Sequence, residues 1–183
     1  YAIGRMAFAT RDFKKAFKRN LDLVRRSNLS NLLGRVHRSG GVSRAQLTRE
    51  TGLNRSTIAD LVGELVALGL ATETQPDPTN QVGRPSPIVV PSDRVVAIAV
   101  HPELDAVSVA AVALGGRVLR QTRHATGSIP TVDDVVAIST AAISDLTGSL
   151  PGHRVVGVGL AIPGLVRRRD GLVTLAPHLD WHG

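Results

Sequence analysis

The spacing of apolar residues changes near residue 90, and this change constrains the fold more than any other feature of the sequence. Before it, apolar residues recur every three or four positions, which is typical of amphipathic helices. Beyond Arg94 they form short runs rich in valine and alanine that favour strands. We therefore divide the chain into a basic helix over 1–26, a helical domain over 27–91 and a strand-rich domain over 92–183.

Charge is distributed as unevenly as the apolar pattern. Residues 1–90 contain 14 Lys and Arg against 7 Asp and Glu, whereas residues 91–183 contain 8 of each kind. A basic excess confined to one part of a chain indicates a polyanionic partner for that part. We expect the first half, and not the second, to bind nucleic acid.

Composition also excludes several classes of chemistry. The chain has no cysteine, which rules out disulfides, thiolate zinc sites and a cysteine nucleophile. It has no apolar run of the ~18 residues that span a membrane and no secretory signal, so we expect a soluble, cytoplasmic protein. Of the histidines, His178 and His182 are four apart, but no helix is predicted to place both on one face. No metal site is therefore assigned.

Two helices are predicted before residue 40. Over 1–26, basic residues alternate with an apolar set of helical spacing, and this helix either packs on the next domain or contacts nucleic acid. The apolar set is Phe13, Phe17, Leu21 and Val24. The second helix has Leu29, Leu32, Leu33 and Val36 on one face and ends at Gly40 and Gly41.

A pair of helices follows. Ser43 and Gln46 form an S-x-x-Q capping box, and Gly52 is suited to end the short helix that they begin. Asn54 can cap the next helix, whose apolar face comprises Ile58, Leu61, Val62, Leu65 and Leu68. Two helices joined by a glycine-containing turn of about three residues make a helix-turn-helix motif.

Two short strands complete this domain. "GLATETQ" and "SPIVV" flank the loop "PDPTNQVGRP", which predicts a β-hairpin after the third helix. Three helices followed by such a hairpin are typical of a winged helix-turn-helix domain.

In a helix-turn-helix motif, the N-terminal residues of the second helix face the bases of the major groove. Arg55 is suited to paired hydrogen bonds with guanine, and Arg84, between glycine and proline at the tip of the wing, is suited to an A·T-rich minor groove. The residues that we predict to contact DNA are Arg26, Ser43, Arg44, Asn54, Arg55, Ser56, Thr57, Asp60 and Arg84. A solvated surface without such contacts is the alternative.

The second half reads β-β-β-α-β-β. The strands are "RVVAIAV", "AVSVAAVAL" and "RVLRQTR", the last two joined through Gly115 and Gly116, then a helix capped by Thr131 and Asp134. "RVVGVGLAI" is apolar on both faces, which predicts a central strand. Pro163 and Gly164 turn the chain into a hairpin made by "LVRRR" and "LVTL". Gly157 and Gly159 lack the third glycine of a dinucleotide-binding fingerprint, so we interpret them as positions of close strand packing.

The stretch from "RRSNLSNLL" to "GLATE", followed by "GRPSPIVV", resembles the winged-helix half of the ROK proteins (repressors, open reading frames and sugar kinases), in the repressor branch typified by xylose and N-acetylglucosamine repressors. The segment "GVGLAIPGLVRRRDGLVTLAPHLDWHG" is similar to the sugar-domain segment of that family. The resemblance covers about residues 25–183. It implies that the second half is the N-terminal part of an actin-like (ribonuclease-H-like) ATPase α/β domain, truncated here, which in the repressors senses a sugar.

Three departures limit how far the resemblance to this family, including its kinases, carries. Those enzymes have an Asp-x-Gly-Gly-Thr phosphate loop where this chain has His101-Pro102-Glu103-Leu104-Asp105, which lacks glycine and carries two acids that would repel phosphate. By the resemblance, the catalytic aspartate and the cysteine-rich zinc site of the family lie beyond the last residue of this sequence, which itself has no cysteine. His178 stands where the family has a sugar-contacting asparagine.

These observations favour a regulator over an enzyme. We predict an α+β protein without cofactor that represses sugar-responsive genes of carbohydrate metabolism, binds operator DNA as a homodimer and responds to a sugar effector. Residues assigned to the effector site by resemblance are Pro163, Gly164 and His178. The alternatives are a fragment of a sugar kinase and a winged-helix module for protein contacts. The turn "HPELD" is interpreted as a plain hairpin turn with Glu103 and Asp105 facing solvent.

Overall fold

The computed structural model describes residues 2–75 and 86–182, with side chains described from residue 21. The chain divides into two compact units, residues 1–91 and 92–183, and each is described by itself. Both units combine helices with strands, and the predicted α+β class is confirmed. Within the described residues, we find no helix that is both long and apolar enough to cross a membrane.

The first unit consists of helices followed by a small antiparallel sheet. In its described part the elements are α1 (Ala2–Ser39), β1 (Val42–Ser43), α2 (Arg44–Thr51), α3 (Arg55–Ala67), β2 (Ala71–Thr74) and β3 (Ile88–Pro91). Helix α1 is continuous across residues 26 and 27, where we expected one helix to end and a domain to begin. No glycine or proline lies between residues 5 and 33 to interrupt it. The two predicted helices are therefore one.

Helix α2 has the predicted ends but only half of the predicted capping box. The Ser43 hydroxyl accepts a hydrogen bond from the Gln46 backbone amide at 3.1 Å. The Gln46 side-chain amide donates to Glu50 Oε1 at 2.7 Å. Among the described bonds, the Ser43 amide does not donate to the Gln46 side chain, so the reciprocal half of the box is missing. Gly52 ends the helix in the left-handed region at φ 70°, with its amide donating to the Thr48 carbonyl.

Helix α3 begins and packs as predicted. Asn54 Oδ1 accepts from the Thr57 amide at 2.8 Å, which satisfies a free donor at the helix start. The prediction for Leu68 is wrong, because the helix ends at Ala67 and the Leu68 side chain is 47% exposed. The buried face of the helix comprises Ile58, Leu61, Val62 and Leu65.

The core of the first unit joins all its helices to the sheet. Strand β1, which the sequence did not predict, pairs with β3, and β3 pairs with β2. The predicted hairpin strands thus form an antiparallel pair with β1 added at one side. The buried cluster contains Leu32, Val36, Val42, Leu47, Ile58, Leu61, Val62, Leu65, Ala71 and Val89.

The second unit is a mixed sheet with a helix on one face and a smaller sheet after it. In its described part the elements are β4 (Val95–Pro102), β5 (Ala106–Ala113), β6 (Val118–Ala125), α4 (Val132–Gly148), β7 (Arg154–Leu160), β8 (Leu165–Arg167), β9 (Leu172–Ala176) and β10 (Trp181–His182). A short 3-10 helix, Pro177–Leu179, joins the last two strands. The predicted hairpin of β8 and β9 is confirmed, whereas β10 was not predicted.

The larger sheet has the order β6-β5-β4-β7, with β7 parallel to β4 and the other neighbours antiparallel. Helix α4 begins at the predicted capping box, since Thr131 and Asp134 each bond the other's backbone amide. Alternate residues of β4 and β5 pack against this helix. The buried cluster contains Ile98, Val100, Val107, Val109, Ala111, Val135, Ala142 and Leu146.

Strand β7 corrects a prediction. Its two apolar faces indicated a central strand, yet among the described strands only β4 pairs with it. All seven of its residues are exposed, including Val156 and Val158 at 61% and 60%. Gly157 and Gly159 pair in register with Ala97 and Ala99, and no backbone or side chain crowds them. The apolar composition of the strand thus does not reflect burial within the described residues.

Candidate nucleic-acid interface

The first turn of α3 holds four of the residues predicted to contact DNA. Asn54 Oδ1 accepts from the Ser56 hydroxyl and from the Thr57 amide, both at 2.8 Å. These bonds engage Asn54 in the local structure, and Thr57 is half-buried. Arg55 is exposed and makes no ion pair with any described residue. The turn therefore presents one guanidinium and one hydroxyl to solvent.

Asp60 and Arg26 lie on neighbouring elements of the same unit. Asp60 is exposed one turn beyond Ser56, and it lines a groove of about 300 Å³ between α1 and α3. Arg26 is exposed on α1. Arg84 falls in the segment 76–85, outside the described residues.

Ser43 and Arg44 have partners inside the unit. Ser43 caps α2, and the Arg44 guanidinium forms a forked ion pair with the Glu73 carboxylate of β2. The Nε to Oε1 distance is 2.6 Å and the NH2 to Oε2 distance is 2.5 Å. The Arg44 side chain is 32% exposed and that of Glu73 is 28% exposed. Neither Ser43 nor Arg44 presents its polar group as a free surface contact.

Two further ion pairs join the helices of this unit. Arg25 of α1 donates twice to Glu64 of α3, at 2.9 and 2.6 Å. Arg35 of α1 donates to Glu50 of α2 at 2.6 Å. The pKa of Glu50 lies below its usual value, first because of the Gln46 side-chain bond and then because of Arg35. Sequence reasoning missed these glutamates, because their partners are 15 or more residues away along the chain.

The second unit brings together residues that we assigned to an effector site. The turn between β4 and β5 lies beside Pro163 and His178, and together they line an open cleft of about 370 Å³. The lining residues are His101, Pro102, Glu103, Leu104, Asp105, Pro163, His178 and Leu179. Pro163 and His178 thus share one cavity with the "HPELD" turn, although they are more than 50 residues from it in sequence.

The acids of this turn are not simply solvated, which corrects the plain-turn interpretation. Glu103 accepts from the Ser108 hydroxyl at 2.5 Å and from Arg123 Nε at 3.0 Å. Asp105 accepts from Arg123 NH2 at 2.6 Å and is otherwise exposed. The bond from Ser108, followed by that from Arg123, lowers the pKa of Glu103. One guanidinium therefore holds two carboxylates at the rim of the cleft.

Gly164, next to the cleft residue Pro163, packs closely against β9. A Cβ at this position would lie 2.4 Å from the Leu175 carbonyl oxygen and 2.9 Å from the Ala176 Cα, both backbone atoms of β9. Its amide donates to the Ile162 carbonyl at 2.9 Å. The missing side chain lets the turn press on β9, which leads directly into the segment that carries His178.

Replacing Gly164 with alanine is expected to destabilise the second unit by about 1–3 kcal/mol, because the backbone of β9 must move to admit the methyl group. Urea unfolding followed by circular dichroism measures the change. Gly159→Ala is the matched control, since a Cβ there meets only the Ile98 carbonyl oxygen at 4.0 Å. Equal stability of the two variants would contradict the close-packing role.

The described residues offer no group of three or more His, Asp or Glu side chains that could hold a metal ion. His178 and His182 do not converge on a common point, because His182 Nε2 pairs with Asp180 at 3.1 Å while His178 lines the cleft.

Comparison with known proteins points to regulators of transcription. No protein-family model matches the chain. It is 26% identical over 161 residues to the xylose repressor of Bacillus subtilis, covering 86% of this chain and 41% of that protein. The xylose repressor of Bacillus spizizenii is 27% identical over 161 residues, with the same coverage.

A solved structure agrees with these relatives. The crystal structure of a ROK family transcriptional regulator, described as a homologue of the Escherichia coli MLC protein, matches with a TM-score of 0.58 and 25% identity. The match covers 85% of this chain and 40% of that one. The chain therefore spans about two-fifths of the length of these relatives.

The α+β fold and these likenesses relate the chain to proteins of the transcriptional regulator class. Within that class, the chain is similar to a ROK family transcriptional regulator and to xylose repressors.

Proposed function

We propose that the first unit is a winged helix-turn-helix domain that binds double-stranded operator DNA. We also propose that the chain acts in a sugar-responsive repressor. Helix α3 would lie in the major groove with Arg55 toward the bases. The strands β2 and β3 would form the base of the wing. Arg26 and Ser56 are suited to phosphate, while Asp60 is suited to accept from a cytosine amino group.

The observation that carries this proposal is the arrangement of α3. Its apolar face is fully engaged in the core, so its N-terminal turn is held at the surface with Arg55 exposed. The turn from α2 to α3 is three residues long, as in helix-turn-helix motifs. The basic excess of residues 1–90 supports a polyanion as the partner of this surface.

We also propose that the second unit is the beginning of an actin-like domain and that its cleft takes the effector. Leu104 and Pro163 supply apolar surface, while Glu103 and Asp105 supply acceptors for hydroxyl groups. With two carboxylates at the rim, a neutral sugar fits the cleft better than a sugar phosphate does. The named relatives are xylose repressors, so xylose is the effector to test first.

Binding as a homodimer completes the proposal. A helix-turn-helix protein that reads two half-sites one helical turn apart needs two recognition helices. No described contact of this chain identifies the dimer surface.

The test of DNA binding is a fluorescence anisotropy titration of the full chain with labelled A·T-rich and G·C-rich duplexes of equal length. Saturable binding is expected at low salt, with the A·T-rich duplex bound more tightly. A chain that binds neither duplex would overturn the proposed function.

The effector proposal has its own measurement. Xylose is expected to bind to the chain in isothermal titration calorimetry, whereas the corresponding sugar phosphate is expected to bind more weakly because of Glu103 and Asp105. The control is the double variant Glu103→Gln with Asp105→Asn, which should narrow the difference between the two ligands. Tighter binding of the phosphate by the unaltered chain would contradict this assignment.

A further inference from the structure

Arg44 lies where the sequence predicts a contact with DNA, but its side chain is engaged elsewhere. Its guanidinium is paired through two parallel bonds to both carboxylate oxygens of Glu73. A forked pair of this kind fixes direction as well as distance, because both planar groups must be coplanar. The pair links the first residue of α2 to the third residue of β2.

The start of α2 is tied to the other strand of the hairpin as well. The Arg44 amide donates to the Pro87 carbonyl at 3.0 Å, and the Ala45 amide donates to the Ser86 hydroxyl at 3.2 Å. Both acceptors directly precede β3. One residue, Arg44, thus bonds the segment before β3 through its backbone and β2 through its side chain.

We propose that Arg44 is a positioning residue for DNA recognition, which with Glu73 fixes the angle between the β2–β3 hairpin and the helix pair, and that it is not itself a phosphate contact. This inference rests on the proposed function. In this proposal Glu73, a carboxylate in a basic unit, orients the Arg44 side chain and the hairpin rather than repelling DNA. Without its partner, Glu73 would be a negative charge next to a DNA-binding surface.

The ion pair is suited to orientation more than to stability. Both side chains are partly exposed, and pairs of that kind contribute little to the free energy of unfolding. Variants of either residue should therefore stay folded, which melting curves followed by circular dichroism can verify. Any loss of DNA affinity then reports on geometry.

The experiment compares salt-dependent binding of an A·T-rich duplex by the full chain and by Arg44→Lys and Glu73→Gln. We expect both variants to bind about three- to tenfold more weakly, with the slope of log affinity against log salt unchanged. Lysine keeps the charge of Arg44 but cannot make the fork. The swapped pair, Arg44→Glu with Glu73→Arg, is expected to restore the affinity.

Glu50→Gln is the matched control. Glu50 forms an ion pair with Arg35, and the side chains of this pair are about as exposed as those of Arg44 and Glu73. Glu50→Gln removes one negative charge from the unit, as Glu73→Gln does. It joins α1 to α2 and touches neither strand of the hairpin. If positioning is the role of the pair, Glu73→Gln weakens binding relative to Glu50→Gln.

Other results overturn the inference. Tighter binding by Glu73→Gln than by Glu50→Gln, or a slope for Arg44→Ala reduced by about one ion, would make Arg44 a direct phosphate contact. Equal affinities for Arg44→Lys, Glu73→Gln and Glu50→Gln would leave the pair without a role in recognition. If the unaltered chain does not bind the duplex, the proposed function itself is overturned. The titration of the unaltered chain distinguishes this result from the others.

Discussion

Affinity of the chain for an A·T-rich duplex is expected to fall about a thousandfold as salt rises from ~50 to ~200 mM, if about six phosphates are neutralised. Cations released from DNA on binding are the physical cause, and the basic excess of residues 1–90 supplies the neutralising charge. Anisotropy titrations at four or five salt concentrations give the slope. A slope near zero would mean that the basic unit does not contact phosphates.

Within the same series, Arg55→Ala separates base contacts from phosphate contacts. Because Arg55 is suited to guanine, its loss should cost about 1–3 kcal/mol on the G·C-rich duplex and much less on the A·T-rich one, so that base preference changes. Arg120→Ala is the control, because Arg120 is an exposed arginine on β6 of the second unit. Equal weakening by the two variants on both duplexes would assign Arg55 to general electrostatics rather than to the reading of bases.

Leu65→Ala is expected to lower the free energy of unfolding of the first unit by about 2–5 kcal/mol. Leu65 is 0% exposed and packs in the cluster that joins the helices to β3. Truncation leaves a cavity that the surrounding helices can fill only in part. Differential scanning calorimetry should show a lower midpoint for one transition.

Val66→Ala is the neighbouring control for that experiment. Val66 lies in the same helix but is 40% exposed. Its replacement by alanine should lower the free energy of unfolding by well under 1 kcal/mol, because the small loss of packing is offset by the higher helix propensity of alanine. The buried cluster of the second unit contains no residue of the first. If Leu65→Ala lowered the stability of the second unit by the same amount, the two clusters would not be independent hydrophobic cores.

The sequence predicted those features that are encoded within a few residues. Ser43, Asn54 and Thr131 cap helices as predicted, because a side chain and the amide it bonds are three residues apart. Gly52 ends a helix for an equally local reason. Such signals also predicted the order of the helices and strands, apart from β1, β10 and the joining of the first two predicted helices into α1.

Features that depend on distant partners were beyond sequence reasoning. Arg44 and Glu73 are separated by 29 residues, and Arg123 and Glu103 by 20. Nothing in the spacing of charges says which arginine meets which carboxylate. The interface predicted on α3 therefore stays a prediction, and the pairing of Arg44 with Glu73 is what the sequence could not show.

The position of β7 could not be predicted for a different reason. An apolar run indicates that a strand is suited to contact apolar surfaces. It does not indicate how many other strands pair with it. Val156 and Val158 satisfy the composition of an inner strand, yet pairing of the described residues places β7 beside β4 alone. Edge or centre is decided by the order of strands, which depends on the whole sheet.

The exposure of β7 within the described residues favours association of chains at high concentration. Its outer row of amides and carbonyls and its valine side chains offer a template on which the same segment of another molecule can add. Arg154 is its one charged residue and stands at its first position, where it does little to discourage such growth. We therefore expect aggregation of a preparation of this chain to increase with protein concentration.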